Sequence, residues 1–261
     1  MPGVFGKRGV LAVLLAFAAF MPLASTATDA TTGDLSSTSV FDKHERTWKK
    51  WFLKTLTDHD HGQKSGVYCA TSLDNRIWKI EDAPAFVLSD GEGFASLESF
   101  DVARHKTRSG SQYVLVYSLT EIEANSANSA ASSIGLALST DGRHFEKLSA
   151  DKSPYGVPGL LFRPSARLSN GCTAERSSLF GPRIISANGQ LSLWYGELGY
   201  DLQKQPVGAC VAQASSSDGV TWQRNDDCKL SLHFKSGKAN EDELRNTLAK
   251  YSLALKESQI F

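Results

Sequence analysis

Charge of either sign is not in surplus: 28 Lys and Arg stand against 28 Asp and Glu, and the net charge is near zero. That balance leaves no electrostatic footprint for a nucleic-acid partner. Charged residues make up 21% of the chain and apolar residues 41%, which excludes disorder throughout. The Asn-x-Ser/Thr pattern is absent, so N-glycosylation is not expected. A serine-nucleophile elbow, a phosphate loop and a dinucleotide fingerprint are also absent. Cysteines number four, at positions 69, 172, 210 and 228, and none of their spacings is a metal signature. No metal and no other cofactor is expected.

Long apolar runs are equally scarce. The one present, Val10–Leu23, follows Lys7 and Arg8 and ends in small residues through Ala27. This is the pattern of a secretory signal peptide, with cleavage after Ala27, and the run is shorter than the ~20 residues that span a bilayer. The mature chain is therefore expected to be secreted and extracellular, with no membrane contact after cleavage. An exported chain with an even cysteine count implies up to two disulfides. Cys210 and Cys228 flank a turn on runs able to pair as neighbouring strands, so the expected bond is Cys210–Cys228 or Cys210–Cys172.

What the chain does contain is a repeat. Ser72-Leu73-Asp74-Asn75-Arg76-Ile77-Trp78, Ser139-Thr140-Asp141-Gly142-Arg143-His144-Phe145 and Ser216-Ser217-Asp218-Gly219-Val220-Thr221-Trp222 share one form, Ser-x-Asp-[Gly/Asn]-x-x-[Trp/Phe]. Successive aspartates lie 67 and 77 residues apart, and a β-prone run precedes each copy. Gly and Asn accept positive φ, and an Asp carboxylate can take N–H bonds from residues two or three further on. These aspartates read as turn pins, and the aromatic opens the next strand. Two units read as about four antiparallel strands each: Tyr113–Leu119, Ile134–Leu138 and Phe145–Leu148 in one, Arg183–Ser186, Leu191–Gly196, Ala209–Ala214 and Trp222–Arg224 in the other. Four strands per repeat at this period mark a β-propeller blade.

Flanking segments read differently. Trp48, Trp51, Phe52 and Leu56 fall on one helical face, so Phe41–Leu56 is expected to be a helix. Asp58-His59-Asp60-His61 reads as a solvated loop. Ala239–Gln259 reads as an amphipathic helix with a Leu244, Leu248, Tyr251, Leu255 stripe. The expected organisation is a signal peptide at 1–27, a Ser/Thr-rich leader and Trp-rich helix at 28–64, a propeller-like domain of about three repeats at 65–230, and a helical tail at 231–261. The fold class is all-β with flanking helices.

Leu193-Trp194-Tyr195-Gly196, then Cys210–Ala214 and the third turn, resemble one blade of the five-bladed β-propeller glycoside hydrolases. These are the arabinanase-, xylosidase- and invertase-like proteins of the furanosidase superfamily. Val114–Ser118 with Ile134–Phe145 matches similarly, and the likeness covers roughly residues 65–228. Sialidase Asp-boxes differ in separating Asp from Gly by one residue. The resemblance implies an incomplete propeller, with fewer blades than five, that is monomeric and acts on polysaccharide or oligosaccharide glycosidic bonds.

Such hydrolysis needs two carboxyl groups flanking the scissile bond. In propellers these sit near the starts of successive units. Candidates are Glu98 and Asp101 in one unit, and Glu175 with Arg176 in the next. The functional reading makes Asp101 the base or orienting group and Glu175 the proton donor, with Arg183 or Arg176 holding the donor or a sugar hydroxyl. Trp194, Tyr195 and Tyr117 are candidates for stacking on a sugar ring, and their alternative is packing. The rival functional class is a non-catalytic carbohydrate- or protein-binding remnant, or a truncated product.

Overall fold

The computed structural model describes residues 39–58, 62–88, 94–107, 110–121, 131–234 and 240–258. Three antiparallel sheets carry most of them. The first holds β1 (Val40–Asp42), β2 (Thr47–Asp58), β3 (Gly62–Ser72) and β4 (Lys79–Ile80) in that order, with β5 (Phe86–Val87) also on β3. The second runs β10 (Leu160–Phe162), β8 (Ser132–Ser139), β7 (Gly110–Glu121), β6 (Phe94–Thr107), with β9 (Glu146–Lys147) on β8. The third runs β11 (Arg176–Ala187), β12 (Gln190–Tyr200), β13 (Pro206–Ser216), β14 (Gln223–His233). One helix, α1 (Glu241–Ser258), follows. All lie within one compact unit, Asp34–Phe261.

The three turns superpose in chemistry. In each, the serine hydroxyl donates to the aspartate at 2.9 Å. The same carboxylate oxygen accepts N–H groups two and three residues on, at 2.7–3.0 Å. The residue after each Asp has positive φ: Asn75 at 60°, Gly142 at 72° and Gly219 at 77°. Trp78, Phe145 and Trp222 then lead directly into β4, β9 and β14.

Period two organises the core. On β7, Tyr113, Leu115, Tyr117 and Leu119 point to the first sheet, where they meet Trp51, Val67, Cys69 and Phe86. Val114 and Val116 point the other way, toward Leu193, Tyr195, Cys210 and Ala212 of the third sheet. On the third sheet's far face, Phe180, Trp194, Leu198, Ala209 and Val211 pack against Leu248 of α1. The sheets are thus layered face to face like successive blades, and α1 covers the outer face of the third.

Four expectations need correction. Phe41–Leu56 is not helical: it forms β1, a turn and β2, and β2 pairs with β3 along its whole length. The first unit therefore has its leading strands, and the β domain begins at Val40 rather than 65. The apolar spacing misled because the inward positions of β2 are Lys49 and Trp51, both 0% exposed. Lys49 tolerates burial because its ammonium donates to Asp42 (3.1 Å), Glu45 (2.6 Å) and the Asp141 carbonyl (2.6 Å). Second, the strands expected at Leu191–Gly196 and Ala209–Ala214 run longer, with β12 reaching Tyr200 and β13 starting at Pro206. Third, residues 94–107 form a further strand, β6, ahead of the three expected in that unit. Fourth, the row that α1 buries is Leu248, Ser252 and Lys256, while Tyr251 is 36% exposed. Residues 1–38 and 59–61, which include the segment expected to be a signal peptide, most of the expected leader and both histidines of the Asp-His run, lie outside the described residues. The disulfide is Cys210–Cys228, with Cys69 and Cys172 free.

Candidate functional site

Asp101 lies on β6 where that strand meets β11, and it is 2% exposed. Its two oxygens accept four hydrogen bonds: from the Val102 N–H (3.0 Å), from the Ile184 N–H (2.9 Å), and from the Lys256 ammonium at 2.9 and 2.7 Å. A carboxylate offers about four acceptor positions, so these donors saturate it. The lysine comes from α1, 155 positions away in the chain. A general base must reach the proton it takes, and this carboxylate faces its own chain on every side.

Glu175 is exposed, immediately before β11, where its N–H donates to the Tyr200 carbonyl at 2.9 Å. Ile184, which holds Asp101, lies nine residues further along the same strand. At ~3.3 Å per residue, the backbone of Glu175 stands up to roughly 25–30 Å along the chain from the N–H that holds Asp101. Glycosidase pairs stand about 5–9.5 Å apart. The structure does not bring Asp101 and Glu175 together. Arg183 stays near Asp101 through the chain, but its guanidinium donates to the carbonyls of Phe100 (3.3 Å) and Pro182 (3.2 Å). Glu98 is exposed and accepts from Thr120 at 2.5 Å and Ser132 at 3.4 Å. Arg176 is exposed at the first position of β11.

The aromatic candidates are packing. Trp194 is buried between the third sheet and α1. Tyr195 is buried beneath the second sheet, 5.5 Å from the Phe162 ring, with the Arg224 guanidinium 5.8 Å from its centroid. Burial pushes its hydroxyl's pKa up, and Arg224 opposes this. Tyr117 is buried with its hydroxyl on the Gly159 carbonyl at 3.1 Å and Phe86 at 4.8 Å. None of the three presents a ring face to solvent.

Two groups escaped the sequence reading. Glu197 is 1% exposed and accepts from the Ser169 N–H (2.7 Å), the Ser169 hydroxyl (3.0 Å) and Arg224 (2.6 Å). Its position next to Leu198 in an unbroken strand carries no sequence signal. Lys256 carried one: it continues the Leu248–Ser252 row at i+4, a buried helical stripe ending in a charge.

A cleft of about 500 Å³ opens beside the second turn. Gln112, Asp141, His144, Glu146, Lys147 and Lys152 line it together with Leu138 and Leu148. Gln112 also donates to the Asp218 carbonyl at 2.7 Å, which ties the third turn to the cleft wall. Burial raises the Asp141 pKa, but the His144 ring at 2.8 Å and the turn N–H groups outweigh it and hold the carboxyl well below the usual range. Both acceptors and cationic donors thus face the opening. Among the described residues no cluster of His, Cys, Asp and Glu has metal-site geometry.

No protein-family model matches the chain, and no curated protein matches it. Solved structures do. A sucrose-6-phosphate hydrolase from Lactobacillus gasseri is 14% identical, over 78% of this chain and 34% of that one, with a TM-score of 0.46. A GH32 β-fructofuranosidase from Bombyx mori is 12% identical over 78% and 38%, with a TM-score of 0.47. An N-acetylgalactosamine deacetylase from F. plautii, in complex with blood group B trisaccharide, is 13% identical over 71% and 50%, with a TM-score of 0.44. The chain spans a third to a half of these structures' lengths. Glycoside hydrolases are thus among the structures it is similar to, and similarity at this level assigns no residue a role.

Proposed function

We propose that this chain is an exported, glycoside-hydrolase-like protein that binds carbohydrate without cleaving it. One observation carries the non-catalytic reading: Asp101, the carboxylate expected to act as base, is closed off by Lys256 and two backbone N–H groups. The ligand class rests on the blade-like motifs and on the chemistry of the cleft. A hydroxyl-rich ligand needs donors and acceptors side by side, which Asp141, Glu146, Gln112 and the two lysines supply.

Binding of arabinan, xylan and fructan oligosaccharides to the secreted chain tests this reading. The expected result is saturable binding to at least one of them and no release of reducing sugar. His144→Ala and Lys152→Ala should each weaken binding about tenfold, about 1.4 kcal/mol. Sugar release by the wild type that disappears in Asp101→Asn or Glu175→Gln would instead establish a hydrolase. Undiminished binding in both cleft variants would move the site elsewhere. N-terminal sequencing of secreted material should begin after Ala27.

A further inference from the structure

The four cysteines have three distinct fates. Cys210 and Cys228 are bonded to each other. Cys69 is 0% exposed between the first two sheets, and burial pushes its thiol up to about 12. Cys172 differs from all of them. It is partly exposed, in the loop between β10 and β11, and its sulfur lies 2.8 Å from Nδ1 of His233.

That contact is built rather than incidental. The loop is closed by Leu168 N–H to Cys172 O (2.9 Å) and Gly171 N–H to Leu168 O (2.9 Å). Asn170 accepts the Cys172 N–H at 3.0 Å and donates to the Ala209 carbonyl at 3.1 Å, so the loop is fastened to β13. The sulfur rests over Gly208, where an added Cβ would come within 2.9 Å of it. Gly208 pairs in register with His233 on β14, which sets the imidazole beside the sulfur. The other ring nitrogen, Nε2, is 3.2 Å from the Ser231 hydroxyl. A doubly protonated ring can donate from both nitrogens, to a thiolate on one side and to the serine oxygen on the other. Nucleophile, base and orienting group within hydrogen-bond reach is the arrangement that activates a thiol.

We propose that Cys172 and His233 form a reactive dyad and that Cys172 is a covalent modification site for small-molecule disulfides. His233 takes the thiol proton. The thiolate attacks one sulfur of a disulfide R–S–S–R, a new Cys172–S–S–R bond forms, the original S–S bond breaks, and the departing RS⁻ takes a proton from His233. Electrons balance without another oxidant, because the incoming disulfide is itself reduced. Disulfide exchange is the fitting class because the charge develops on sulfur next to the imidazolium. Acyl transfer would in addition need donors arranged for an oxyanion.

Oxidised glutathione is the probe. Incubated with the folded, disulfide-intact chain at neutral pH, it should yield a single adduct, mapped by peptide mass to Cys172 and reversed by dithiothreitol. Cys172→Ser should remove the adduct. His233→Gln, checked for unchanged melting, should slow adduct formation by at least about tenfold, since one positioned acid–base group contributes ~10²–10⁴. Iodoacetamide should show the same ordering, which separates thiol activation from any affinity for glutathione. An adduct on Cys69 or Cys228, no adduct at all, or equal rates in wild type and His233→Gln would overturn the proposal.

Discussion

Replacing Lys256 by Met tests the ion pair that shapes the functional reading. The methylene stem of Lys256 is kept in length, and only the ammonium is lost. Both partners are almost wholly withdrawn from water, at 6% and 2% side-chain exposure. Removing one member of a buried pair costs about 3–5 kcal/mol, because the other charge is left in low dielectric. The Val102 and Ile184 N–H groups remain on Asp101, so the lower end, about 3 kcal/mol, is expected. In urea, with a slope of roughly 2–3 kcal/mol/M for a chain of this size, that is a midpoint shift of about 1 M. Trp194 fluorescence reports the event locally, since its ring lies under α1. The double variant Asp101→Asn, Lys256→Met removes both charges and should recover most of the loss, giving a coupling of about 2 kcal/mol or more. A single variant that loses less than about 1 kcal/mol, or a double variant whose loss is the plain sum of the singles, would refute the reasoning.

Four further outcomes follow from the same structure. Acidification should weaken the fold as the turns protonate. The N–H groups of Ile77 and Arg76 hold Asp74 at about 2, below its ordinary 3.8, so the folded state binds fewer protons in that interval. Stability is then complete above pH ~4 and lost as the pH falls toward 2, which a melting series across that range will show. Asp218→Ala, which strips the third turn of its Ser216, Val220 and Thr221 bonds, should cost about 1–2 kcal/mol at neutral pH, measured by thermal melting. Alkylation of unreduced protein should label Cys172 in the native state and Cys69 only after denaturation, with the Cys210 and Cys228 peptides joined. Deleting residues 240–261 should uncover Phe180, Trp194, Leu198 and Val211, seen as dye binding and aggregation.

The three turns were legible because their chemistry is local. Each aspartate's carboxylate bonds only to residues two or three positions away, so the heptapeptide contains the turn itself. The same holds for α1. Asn240 caps its first turn, accepting from Asp242 at 3.0 Å, and acidic residues follow at 241–243. The alternating runs on β7, β8, β12 and β13 were likewise readable, since a strand buried on both faces is apolar whatever covers it.

Tertiary structure alone decided the rest. Phe41–Leu56 has a spacing compatible with a helix, and only full-length pairing with β3 makes it a strand. Lys49 at an inward position makes sense only once Asp42, Glu45 and the second turn surround it. Asp101 and Glu175 looked equivalent by their place in successive units. The fold put one under α1 and left the other in solvent at the far end of β11. Cys172 meets His233 across 61 positions, and Asp101 meets Lys256 across 155. Local bonds are encoded where they form. A carboxylate's chemistry depends on what the folded chain sets against it, and no periodicity in the sequence records which distant cation arrives.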